Sequence, residues 1–265
     1  MNRLKKRPIG IFDSGVGGLT VFREIERILP YEDIVYFGDT ARVPYGNKSR
    51  ETIVRFSMQN ILFLLKKKVK IVVVACNTSS SLSLEYLKNI FRVPVIGVIS
   101  PSVEKALLVS KTRKIGVIAT RSTINSGTYE QEIIKKDKKV QVHSLACPLF
   151  VPLVEEGMFP GKILDGVIKF YLEAIKQKVD TLILGCTHYP LLKESLVSFL
   201  KGVLLIDSAE EVAVNAKAVL EQNNLSNNKL SPSKEFYVSD DPGNFLKMAT
   251  LFLERKVSKP KVVNV

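Results

Sequence analysis

Cysteine is scarce in this chain of 265 residues, with three in all, at positions 76, 147 and 186. Three do not make a disulfide framework, and together with an enzyme-like length they point to a reducing cytoplasm. No Cys-x-x-Cys spacing occurs, which argues against a disulfide oxidoreductase. Histidine is scarcer still, with only His143 and His188. A zinc site needs further clustered ligands, so no metal is expected. No apolar stretch approaches the ~20 residues of a membrane span. The basic N-terminus, MNRLKKRPIGIF, is broken by Pro8 and Asp13 before a signal-like apolar region forms, so neither secretion nor membrane attachment is expected. A G-K-[ST] phosphate loop is also missing.

Acidic residues are outnumbered, 26 against 39 Lys and Arg, which leaves a net charge of +13. That surplus raises a nucleic-acid-binding reading. Yet Lys66–Lys68, Lys135–Lys139 and the Lys256–Lys261 tail are short basic runs between apolar segments, and no zinc-finger, RNA-recognition or arginine-rich signature accompanies them. A solvated cationic surface is the preferred reading, with no specific nucleic acid. The same field would steer a small anionic substrate.

What the chain does have is a globular composition, 46% hydrophobic and 25% charged, enough to bury a core. Short apolar runs alternate with helical spacing from Pro8 onward, which predicts an α/β fold with mainly parallel sheets. Helices are expected over Leu19–Leu29, Ser49–Lys67, Ser79–Phe91 and Pro101–Val109. Further helices are expected from Ser122 to about Lys136, and over Tyr189–Leu200. The tail from Lys256 is expected to be loosely held. IGIFDSG (Ile9–Gly15) is weakly repeated as IGVIATRST (Ile115–Thr123). The repeat predicts two pseudosymmetric α/β domains with the active site in the cleft between them. Residues 1–98 plus 207–265 would form one and residues 99–206 the other.

Two stretches carry the chemistry. TLILGCTHYPLL (Thr181–Leu192) is an apolar strand delivering Cys186, Thr187 and His188 to its carboxyl end, where ligands sit in parallel sheets. IVVVACNT (Ile71–Thr78) delivers Cys76, Asn77 and Thr78 in the same way. A buried structural thiol is common, and Cys147, in an apolar loop before Pro148, is read as one. Two cysteines at matched strand ends, each at a helix N-terminus, suggest acid–base thiols instead. Opposed thiols could take a proton from one face of a carbon and return one to the other, which inverts the centre. His188 would aid Cys186 and Asp13 would aid Cys76, although Asp13-Ser14 could equally be an ordinary helix cap. The turn Gly15-Val16-Gly17-Gly18 invites a dinucleotide reading, with Asp39 near the ribose-binding distance. However, Thr20 stands where the third glycine of the fingerprint belongs.

FDSGVGGLTV (Phe12–Val21), YFGDTARVPYG (Tyr36–Gly46), ACNTSSS (Ala75–Ser81), CPLFVPLVEEG (Cys147–Gly157) and LGCTHYPLL (Leu184–Leu192) together resemble the bacterial glutamate racemase family, in order and at proper spacing. The chain departs from the family's usual pattern at Ser79-Ser80-Ser81 and at Ser100-Pro101-Ser102-Val103. The resemblance implies cofactor-independent interconversion of L- and D-glutamate for peptidoglycan synthesis, in a cytoplasmic enzyme that is frequently a homodimer. Aspartate racemases share the two-cysteine plan, which keeps aspartate as the alternative substrate. Carried over by position, Cys76 and Cys186 become the proton donors and acceptors. Asp13 assists the first, and His188 with Glu155 assists the second. Asp13, Ser14, Tyr45, Gly46, Asn77, Thr78, Thr187 and His188 form the implied substrate shell.

Overall fold

The computed structural model describes residues 3–265. β1 (Ile9–Asp13) passes through a glycine-rich turn into α1 (Leu19–Ile28). β2 (Ile34–Gly38) is followed by two single 3-10 turns, Thr40–Arg42 and Tyr45–Asn47, and by α2 (Arg50–Lys66). β3 (Ile71–Val74) runs into α3 (Asn77–Ile90), and β4 (Val95–Gly97) into α4 (Ile99–Val109). The second series is β5 (Lys114–Ala119), α5 (Arg121–Asn125), α6 (Thr128–Lys136), β6 (Gln141–Ala146), α7 (Phe150–Glu155) and α8 (Lys162–Leu172). It ends with β7 (Thr181–Gly185), a 3-10 turn over Tyr189–Leu192, α9 (Lys193–Phe199) and β8 (Leu204–Asp207). α10 (Ser208–Gln222), β9 (Lys234–Val238), α11 (Pro242–Leu253) and β10 (Lys261–Val262) complete the chain.

Two sheets result, ordered β10-β9-β2-β1-β3-β4 and β6-β5-β7-β8, and every pairing is parallel. The order β2-β1-β3-β4 is matched by β6-β5-β7-β8, so the weak repeat in the sequence corresponds to a repeated topology. In each half the chain first steps to one side of its opening strand and then to the other. This leaves a switch point beside β1 and β3 in one sheet and beside β5 and β7 in the other, the place where parallel sheets bind ligands. Val74 pairs with Phe12, and Leu184 with Ile118, so Cys76 and Cys186 emerge at equivalent positions.

The strands read as uninterrupted apolar runs because helices cover both faces of a parallel sheet. β3 is IVVV and fully buried. α10 packs on α1 and α4 and reaches strands of both sheets, burying Ala209, Val212, Ala213, Ala216 and Leu220. Its small residues allow the close approach. α1 buries Leu19, Val21, Phe22 and Ile25. Each large side chain so buried contributes about 1.5–3 kcal/mol, so this packing outweighs single hydrogen bonds in setting the halves together.

Four local expectations are corrected. The helix expected from Ser122 to Lys136 is two helices, capped at Thr120 and interrupted at Gly127, whose φ of 67° is left-handed. The helix expected from Ser79 begins at Asn77, with Cys76 as its cap. The segment after His188 opens as a 3-10 turn before α9. The tail is tied down: Lys261 and Val262 pair with Tyr237 and Val238, and Pro260 is buried. Among the described residues no helix is long and apolar enough to cross a membrane.

Candidate active site

Both switch points open onto one cavity of about 420 Å³, lined by residues of both halves. Cys76 and Cys186 line it together; both are buried, and both are free thiols.

Cys76 follows β3 and caps α3, its Sγ accepting the Ser79 N–H at 3.5 Å. Burial pushes its thiol up to about 12. The charge of Asp13 adds to this, while the Ser79 N–H and the Ser14 side chain oppose it. Asp13 ends β1 and is wholly buried. One carboxylate oxygen accepts the Gly15 N–H at 2.9 Å, and the other, Oδ1, has no protein partner. Burial raises the Asp13 pKa, with His188 and nearby backbone N–H groups pulling the other way. Asp13 stands near enough to Cys76 for its charge to act on the thiol.

The other side is built differently. Cys186 Sγ lies 3.8 Å from His188 Nδ1, and His188 Nε2 lies 3.0 Å from Glu155 Oε1, at the end of α7. Burial alone would lower the imidazole pKa. Its contacts with Cys186 and Glu155 outweigh that and raise it to about 10. An imidazole raised in this way can carry a positive charge beside the Cys186 sulfur. Thr187 Oγ1 is 3.5 Å from the same Nδ1, and the Thr187 carbonyl accepts the Thr20 hydroxyl at 3.0 Å. The first half presses on this segment through Gly17. A Cβ there would lie 2.4 Å from Thr187 Oγ1 and 2.5 Å from the His188 ring. The glycine turn is thus a close approach between halves. It is not a nucleotide cradle: Asp39, the residue a ribose would need, is buried on Arg42 Nε at 2.7 Å and also accepts from Ser239 and Tyr45.

The remaining expected residues gather around the same cavity. Ser14, Tyr45, Gly46, Asn77 and Thr78 all line it. The Tyr45 hydroxyl turns away, donating to Asp39 and accepting from Asn60 at 3.2 Å, so the residue offers the cavity its ring and backbone. Gly46 sits where a Cβ would meet Thr120 Cβ at 2.9 Å, and its carbonyl accepts the Ser122 hydroxyl at 2.7 Å. Thr78 Oγ1 lies 3.0 Å from Thr120 Oγ1 and 3.2 Å from Thr123 Oγ1, a hydroxyl triangle that joins the halves. Thr120, Arg121 and the apolar wall of Pro148, Val151 and Pro152 were not singled out in the sequence. The repeat held a signal for the first of these, because it aligns Ser14 with Thr120. Cys147 is buried outside the cavity lining, its carbonyl accepting the Tyr189 hydroxyl at 2.9 Å. Among the described residues no group of three or more His, Cys, Asp or Glu could hold a metal ion.

Two parallel sheets with a thiol at each switch point define a racemase of the Asp/Glu/hydantoin type, and residues 9–216 match that family's sequence profile, so the chain belongs to the Asp/Glu/hydantoin racemase family. Within it, the chain falls among the glutamate racemases. It is 50% identical over 256 residues to the glutamate racemase of Aquifex aeolicus, covering 97% of each chain. Its fold superposes on a glutamate racemase from Bacillus anthracis with a TM-score of 0.95, at 39% identity over 98% of each chain. A glutamate racemase from Francisella tularensis, solved in complex with D-glutamate, superposes at 0.92, with 42% identity over 98% of each chain.

Proposed function

We propose that this racemase interconverts L- and D-glutamate without a cofactor, by proton transfer between the substrate α-carbon and two thiols. The observation that carries the reading is that Cys76 and Cys186 are both free, both buried, and both line one cavity from opposite halves. In the forward direction one sulfur, as thiolate, takes the α-hydrogen as a proton, and the C–H electron pair passes into the carboxylate-conjugated carbanion. The other sulfur, as thiol, delivers its proton to the opposite face and is left as thiolate. The reverse reaction exchanges the two roles. Asp13 serves the Cys76 side, and His188 held by Glu155 serves the Cys186 side. Ser14, Thr78, Asn77, Thr187 and the turn at Tyr45-Gly46 hold the carboxylates, in a cavity where hydrogen bonds act at low dielectric.

Residues 1–98 with 207–265, and residues 99–206, are proposed as the two bodies that close on the substrate. The D-glutamate formed would supply peptidoglycan synthesis, and the working unit is proposed to be a homodimer. Support for glutamate over aspartate comes from a relative named for glutamate at 50% identity over nearly full length, and from a superposed glutamate racemase holding D-glutamate. Pure protein incubated with L-glutamate, and separately with L-aspartate, without pyridoxal phosphate and followed by chiral chromatography, tests the reading. D-glutamate should appear. No turnover, turnover only with the pyridoxal cofactor, or faster turnover of aspartate would overturn it.

A further inference from the structure

Asn77 follows Cys76 directly and lines the cavity, and an amide side chain can present either a donor or an acceptor there. A buried chain of hydrogen bonds fixes which. The Leu184 carbonyl can only accept, and the Ser208 hydroxyl donates to it at 3.1 Å. With its one hydrogen committed, Ser208 Oγ can only accept from Asn77, and it does so from Nδ2 at 3.5 Å. That places Oδ1 on the far side, where the Tyr129 hydroxyl donates to it at 2.7 Å. Burial keeps the Tyr129 phenol protonated, far above its usual range, so it remains a donor. Tyr129, Asn77 and Ser208 are all buried. The second hydrogen of Asn77 Nδ2 has no acceptor in this chain of bonds.

We propose that Tyr129 and Ser208 are positioning residues that lock the Asn77 amide with its N–H, and not its C=O, toward the substrate, so that the site favours a carboxylate oxygen there. The proposal rests on the glutamate reading above. Tyr129 comes from α6 and Ser208 from the start of α10, while Leu184 lies two residues before Cys186. The chain of bonds therefore also ties the residue beside one thiol to the strand that carries the other.

A double-mutant cycle tests it. Tyr129→Phe keeps the ring and removes the donor, freeing the amide to turn. In the otherwise unaltered enzyme it should raise KM for both glutamate enantiomers about tenfold, the worth of one hydrogen bond to a charged group, with kcat within about threefold. In an Asn77→Ala background the same change should leave KM unmoved, because the only group it orients is gone. Ser208→Ala, run through the same cycle, should behave alike with a smaller effect, and provides the test if Tyr129→Phe does not fold. Equal effects in both backgrounds, or none in the unaltered enzyme, would overturn the proposal. Absence of glutamate turnover in the unaltered enzyme would overturn the reading beneath it, and is told apart by appearing before any substitution is made.

Discussion

Glu155 Oε1 and Cys186 Sγ are joined through a single imidazole: His188 Nε2 lies 3.0 Å from the first and Nδ1 lies 3.8 Å from the second. Phe252 meets the ring edge-on at 5.6 Å, which confines it. The arrangement raises the His188 pKa from 6.5 to about 10, so the folded state holds this proton more tightly than the unfolded chain does. The stabilisation from this group is complete below pH 6.5 and is lost as pH rises through about 10. His188→Asn should therefore lose stability relative to the parent most at neutral pH and below, with the gap narrowing toward pH 10. Urea denaturation across that range measures it. A gap that widens with pH would mean the imidazole is neutral in the fold.

The two thiols should fail in different directions. Serine is a much weaker acid than cysteine, so Cys76→Ser or Cys186→Ser should lower racemisation by about a thousandfold or more, within the range for losing a general acid or base. The surviving thiol can still remove and return a proton on its own face. In heavy water each variant should exchange the α-hydrogen of one enantiomer only, and the two variants should choose opposite enantiomers. Nuclear magnetic resonance of each enantiomer reads this directly. Exchange of both enantiomers by either variant would rule out one base per face.

Asp13 acts on Cys76 through its charge, which helps hold the thiol at about 12. Asp13→Asn removes that charge, so the thiol should ionise at lower pH, and the alkaline limb of activity should move down with it. The turnover number should fall about a hundredfold, the contribution of a positioned proton carrier. Thiolate absorbance in a chain whose Cys147 and Cys186 are replaced by serine isolates the Cys76 titration. A titration that moves upward on Asp13→Asn would contradict the assigned coupling.

The architecture was legible because buried parallel strands leave an unmistakable trace: IVVV before Cys76 and LILG before Cys186 are apolar without alternation, and each ends in small and polar residues. The repeat around Ile9 and Ile115 carried the topology as well. The missed details depend on partners distant in sequence. Lys261 and Val262 become a strand only because Tyr237 and Val238 offer a parallel edge. The helical pattern from Ser122 to Lys136 hides a break that rests on one left-handed glycine. In the site, residue types were readable but the direction of their polar atoms was not. Tyr45 points its hydroxyl at Asp39, and Asn77 is held by Tyr129, 52 positions away. Thr120 faces Thr78 only once the two halves meet.

Tyr45 supplies a case where position in the cavity and role in the chemistry separate. Its hydroxyl belongs to a buried cluster in which Asp39 also receives Arg42 Nε and the Ser239 hydroxyl, with Arg42 stacked 4.2 Å over the Phe56 ring. Tyr45→Phe leaves Asn60 without one acceptor and Asp39 without one donor. Stability should drop by about 1–3 kcal/mol, the range for unsatisfied buried groups, while KM and kcat stay within about twofold of the parent. Chemical denaturation alongside steady-state kinetics distinguishes the two effects. A large rise in KM at unchanged stability would place the phenol on the substrate.

Gly17 is a place where the two halves approach closely at the site, and a single added carbon tests what that contact is for. The methyl of an alanine would fall 2.4 Å from Thr187 Oγ1 and 2.5 Å from His188 Nδ1, well inside van der Waals contact. The His188 ring cannot yield freely. The Thr187 carbonyl is held by Thr20, and His188 is held by Glu155 and Phe252. The accommodation must then come from the halves moving apart or from the imidazole leaving Cys186. Either shift of about 1 Å should cost around a hundredfold in kcat, since proton transfer between fixed groups is steep in distance. The fold, anchored by α1 against α10, should survive with a modest fall in melting temperature. Where the imidazole leaves Cys186, Gly17→Ala should also lower the His188 pKa, because the ring then loses the contact that raises it. Histidine resonances followed against pH would show this. A variant with parental kinetics and an unmoved His188 titration would mean the glycine turn sits further from the imidazole than its closest contacts require.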